Sequence, residues 1–154
     1  MTHEYVLWVV VLGCSIHVVE ESVLDWVKVS QPVAARFGVT VTWSDFYVVN
    51  AAMIFGAIAG AMIGWRSPAI SLMIPALTVV NAVIFHVAGS LVMRRFVPGT
   101  ITAVLVYLPI AAWTYVGAGQ DGVLTAPVIL LSSLGGVLLM AFPVIMLWLR
   151  ARLP

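Results

Sequence analysis

The chain has 154 residues, of which 63% are apolar and only 8% charged, with a formal net charge of +1. A soluble domain carries about 45–50% apolar and about 25% charged residues, and a chain this short buries too little surface on folding to hide the excess. Water is thereby excluded as the main solvent, and seven basic residues exclude a phosphate-neutralising surface for nucleic acid.

A transmembrane helix needs about 20 largely apolar residues. Five stretches meet that length, and they predict an all-α integral membrane bundle of five transmembrane helices, one domain over 1–154. The first span covers about 5–24. The stretch Tyr5 to Val19 is too short to cross, so the helix must continue through Glu20 and Glu21 and carry His17 inside the bilayer, about 12 Å of rise from Asp25. A cleaved signal peptide is not expected, because His3 and Glu4 stand where a positive n-region belongs and no small-x-small site follows the apolar core. Residues 25–45 read as a loop.

The second span covers about 46–64, with Ser44 as its N-cap. Ala52, Gly56, Gly60 and Gly64 recur every four residues, a strip suited to close backbone approach at the bundle centre or in a homodimer. Asp45 falls within about 20° of that strip, so it is expected to face protein as an outer ligand or a cap. Trp65 to Pro68 form a turn. The third span, about 69–93, ends at Arg94 and Arg95 and places His86 about 12 Å of rise from Arg94. On an α-helix Asn81 and His86 point about 140° apart, so both are not expected to face one point. The fourth span covers about 99–116 and a loop covers 117–122. The fifth span covers about 127–149. Pro75, Pro109 and Pro143 are expected to kink their helices. Trp8, Trp65, Trp113 and Trp148 are expected to anchor span ends at the interface. Cys14, the single cysteine, excludes an internal disulfide and a cysteine-based zinc cage, and reads as a buried packing residue.

Five spans put the chain ends on opposite faces. Lys28, Arg36, Arg94, Arg95, Arg150 and Arg152 share one face, and only Arg66 lies on the other. The positive-inside rule then sets the C-terminus in the cytoplasm and the N-terminus outside, in a multi-pass cell (inner) membrane protein.

Ionisable groups within spans point to function. His17 stands three residues before Glu20 and four before Glu21, so one helical face can bring an imidazole and a carboxylate to the same point. His86 lies at matching depth. Two imidazoles and two or three carboxylates in apolar surroundings suit a divalent transition metal, iron or zinc. The same groups without metal suit general acid–base work. The first reading is a membrane-embedded, metal-dependent enzyme acting on a hydrophobic or lipid-like substrate. His17, Glu21 and His86 would bind the metal and Glu20 would be the catalytic proton carrier or a further ligand. Asn81, Thr102, Asp45, Pro98, Gly99 and Thr100 would support them. The alternatives are a small transporter or proton-coupled carrier using the cluster as a relay, and a non-catalytic membrane subunit docking through the glycine strip.

Three motifs run in order along the chain: His17-Val18-Val19-Glu20-Glu21, Asn81-Ala82-Val83-Ile84-Phe85-His86, and Pro98-Gly99-Thr100-Ile101-Thr102. Together the chain resembles the HXXEE motif family of five-span bacterial membrane proteins. The resemblance implies the five-helix architecture and marks these same residues, while implying no particular reaction. In the third motif Pro98 fits a helix start, Gly99 leaves the backbone open beside the site, and Thr102 is placed to hydrogen-bond a ligand.

Overall fold

The computed structural model describes residues 2–152, and these are helical with no strand among them. Five helices are long and apolar enough to cross a membrane: α1 (His3–Val23), α3 (Trp43–Arg66), α4 (Pro68–Met93), α5 (Thr100–Gln120) and α6 (Ala126–Arg150). Between the first two lies α2 (Trp26–Arg36).

Helix α2 corrects the expected 25–45 loop. Asp25 adopts a left-handed φ of 55° and its side chain accepts from the Lys28 N–H, which starts the helix. Trp26, Val29, Val33 and Phe37 repeat at helical spacing, while Pro32 and the polar face keep the stretch from reading as a span. Gly38, at φ 68°, closes α2 while Val39 N–H donates to Ala34. The start of α3 also moves, because the cap is Thr42 and not Ser44. Thr42 and Asp45 form a reciprocal capping box. Helix α5 runs on to Gln120, through the residues expected to open the 117–122 loop. Pro143 sits inside an unbroken α6.

Helices α1, α3, α4 and α5 form a ring, with α1 and α4 diagonal to one another and α6 laid along the outer side of α4. Where α6 meets α4, a Cβ at Gly136 would come 2.7 Å from that of Ala76. This contact sets the close approach of the two helices. The α3 strip does the same within the chain: Gly60 abuts the Ser71 backbone, Gly56 abuts Ile74 and Gly64 abuts Glu4. The surface expected for a homodimer is thus occupied by the chain's own residues. An apolar core of Val10, Cys14, Ala57, Ile74, Leu77, Ala82, Ala103 and Tyr107 fills the ring.

Two segments depart from α geometry. Asn81–Ala88 in α4 and Ala103–Tyr107 in α5 are π-helical, and they pack against each other as neighbours in the ring. Pro109 has no N–H to offer the turn below it, and the α5 π segment lies where that bond is missing.

Candidate metal centre

Helix α1 presents His17 and Glu21 one turn apart on its inner face, and α4 brings His86 to them across the diagonal. Glu21 Oε1 lies 3.6 Å from His17 Nε2 and 3.5 Å from His86 Nε2. One ligand atom from each of the three buried residues lies within 4.8 Å of the others. The two imidazoles meet edge to face, with centroids 4.7 Å apart at 84°, and Tyr107 stacks on His17 at 4.2 Å.

His17 Nε2 and both nitrogens of His86 are buried without hydrogen-bond partners. Each such atom costs about 1–3 kcal/mol when nothing pairs it, and native proteins keep few of them. The donor set fits a divalent metal. Bonds of about 2.0–2.2 Å at tetrahedral angles separate two ligands by about 3.3–3.6 Å, the range of the Glu21 distances.

His17 is also oriented for this. Its Nδ1 lies 2.8 Å from Thr102 Oγ1, and the Thr102 hydroxyl donates to the Gly99 carbonyl at 3.3 Å. Nδ1 is therefore the donor and Nε2 carries the lone pair, a tautomer assigned from the network. Metal-binding histidines are held in this way through their second nitrogen.

Gly99 forms the wall of the site. Its φ is +92°, and a Cβ there would meet the His86 ring, His17 Cε1 at 2.8 Å and Glu21 Cγ at 2.9 Å. Thr100 fixes the preceding turn through a closed ring of bonds. Val97 N–H donates to Ser90 Oγ, Ser90 bonds Thr100 at 2.8 Å, and Thr100 donates to the Val97 carbonyl at 2.6 Å. Pro98 lies in that turn, two residues before α5 begins at Thr100.

Not every expected residue joins the group. Glu20 points about 100° away from Glu21 and accepts from Gly99, Ile101 and Thr102 N–H at 3.1, 3.2 and 2.7 Å. It caps α5 from another helix, with its carboxylate at the positive end of the helix dipole. Asp45 belongs to the α3 capping box and pairs with Arg150, outside the ligand triad. Asn81 and His86 both border one elongated cavity, but Asn81 faces Met140 of α6 while His86 faces Glu21 and His17 of α1.

Sequence reasoning missed two features. Tyr107 reads as an ordinary core aromatic, and nothing in its spacing marks it as the residue stacked on His17. The second is a polar cap at the opposite end of α1. Asp121 accepts from His3 Nδ1 at 2.8 Å and from Trp65 Nε1 at 2.7 Å, and Glu4 accepts from Trp65 N–H at 2.6 Å. Trp65 thus serves as a cap donor as well as a span-end aromatic. Charged residues at three span ends were the available signal.

Comparison with curated proteins returns no match, and neither does comparison with solved structures. One protein family does match, over residues 8–114, which takes in all three motifs and the residues that converge on Gly99. The chain belongs to the HXXEE family, described as proteins of unknown function with an HXXEE motif.

Proposed function

We propose that this chain is a membrane-embedded, metal-dependent enzyme whose centre is His17, Glu21 and His86 and whose substrate is hydrophobic or lipid-like. One observation carries the reading: two buried imidazole nitrogens without hydrogen-bond partners, His17 Nε2 and His86 Nε2, converge on one buried carboxylate. Two histidines and one carboxylate leave coordination positions open, the pattern of catalytic zinc and non-haem iron sites. A metal there would supply Lewis-acid or redox chemistry to a bound molecule. The protein's residues orient the ligands, exclude water and present an apolar approach. The segregation of basic residues supports a cytoplasmic C-terminus, which sets the centre in the inner half of the cell membrane. A proton-coupled carrier finds less support, because the apolar core lies between the centre and the His3–Asp121 cap.

Elemental analysis of detergent-purified protein tests the reading. Close to one iron or zinc ion per chain is expected, falling at least about tenfold in His86→Ala and Glu21→Ala. A wild-type protein that stays below about 0.2 ions per chain after reconstitution with either metal contradicts it.

A further inference from the structure

Helix α6 packs along the first half of α4 and barely touches α3 or the Asn81–Ala88 segment. A cavity of about 150 Å³ therefore lies beneath the C-terminal half of α6, between it, α3 and α4. The Asp45–Arg150 ion pair ties α6 to α3 at one end of the gap. Glu21 and His86 border the cavity, and Phe46, Phe85, Val144 and Leu147 are among its apolar walls. Phe85 is 42% exposed and Val144 58%, whereas Phe46 is 3% exposed and Glu21 5%. The cavity thus runs from the outer surface of the bundle to residues that a surrounding bilayer does not touch. Val144 and Phe85 both stand within membrane-spanning helices, so its mouth opens into hydrocarbon and not into water.

The cavity selects by what its wall lacks. Both ring nitrogens of His86 and the Asn81 Oδ1 atom have no accessible surface, so neither residue shows these atoms to an occupant. Asp45 is spent on Thr42 and Arg150, and Asn50 donates to the Phe46 carbonyl. A polar or charged head drawn into this space would leave water for few partners, and an anionic one would approach the Glu21 carboxylate. A hydrocarbon chain loses nothing, because the lipid it leaves is as apolar as the walls it meets, and it fills a space whose lining otherwise lacks contacts on one side. The volume is below the roughly 300–1,000 Å³ of a site enclosing a whole drug-sized ligand. Part of a chain fits, with the remainder in the bilayer.

We propose that this cavity binds a hydrocarbon segment of a long-chain membrane molecule, which enters sideways from the bilayer between α3 and α6. The carbon chain, and not the polar head, is then the part that comes beside Glu21 and His86. As a chain site the cavity stands on its shape and walls alone; as the substrate's approach to the centre it rests on the metal-dependent reading above.

The test uses full-length protein in lipid nanodiscs and hexadecane carrying a mid-chain diazirine, with metal content measured on the same samples. Label is expected on the buried wall residues Phe46 and Glu21, as well as on lipid-facing ones such as Leu138, which is 69% exposed. Unlabelled hexadecane, hexadecan-1-ol and palmitate are expected to compete at the buried residues within about threefold of one another, because the head stays outside the cavity. Val144→Trp, at the mouth, is expected to reduce label at Phe46 and Glu21 at least about tenfold and to leave Leu138 labelled as before. Leu147→Trp, on the same wall, is expected to do the same, which covers the case of either variant failing to fold. Three results each overturn the proposal: no label at Phe46 or Glu21 in the wild type, the alcohol or the acid competing at least about tenfold better than hexadecane, or undiminished buried label in the folded tryptophan variants. Labelled protein that holds no metal refutes the metal-dependent reading alone. Metal-loaded protein without buried label refutes the chain site alone.

Discussion

Position 99 has room for a hydrogen and little else. Gly99→Ala would place a methyl group against both imidazoles and Glu21, on a backbone at φ +92°. It is expected to destabilise the protein by about 1–3 kcal/mol and to release metal, as read by thermal melting and elemental analysis. The two glutamates separate by role. Glu20→Ala removes the acceptor of the Gly99 N–H and of two N–H groups in the first turn of α5, and is expected to cost about 0.5–2 kcal/mol of stability with metal content unchanged. Glu21→Ala is expected to do the reverse, losing the metal while freeing a buried carboxylate site. Loss of metal in both variants would show that Glu20 acts at the centre as well. The sequence could not divide this pair. Consecutive helical residues point about 100° apart, and which of them meets His86 depends on where the Gly99 turn lies in space.

Among the elements, the spans themselves were legible because about 20 apolar residues are hard to place anywhere but lipid. Helix α2 was not, because Pro32 and a polar face concealed a stripe that the Asp25 cap makes helical. The π segments left no trace in hydropathy, since they alter the angular repeat without altering composition. They carry His86 and Tyr107. At the other end of α1, hydrogen bonds from the His3 ring, the His3 backbone and Trp65 pull the Asp121 carboxyl down from its ordinary 3.8 to about 2. The folded form therefore holds this proton less tightly than the unfolded form. The resulting stability is fully present above pH 3.8 and is lost as pH falls through about 2. Melting curves are expected to show wild type losing ground to Asp121→Asn between these limits, with a constant difference above them. A difference that does not change with pH would show that the cap's bonds do not depend on this carboxylate's charge.

For the whole molecule, thirteen charged residues in 154 first identify the solvent, then sort by place. Glu4 and Asp121 hold one end, Asp45 and Arg150 bind α3 to α6, Glu20 starts α5, and Glu21 alone enters the centre. The triad was readable from depth and helical spacing, because an imidazole and a carboxylate four residues apart share a face in any α-helix. The diagonal approach of α1 and α4 was not, since it needs Gly99 between them and a ring closed by α3 and α5. X-ray absorption at the metal edge of the purified protein tests the centre most directly. A single ion with two imidazole scatterers and oxygen ligands at about 2.0–2.2 Å is expected, with one imidazole lost in His86→Ala. An absorption edge no stronger than in Glu21→Ala, or a shell without imidazole, would contradict a metal held by His17, Glu21 and His86.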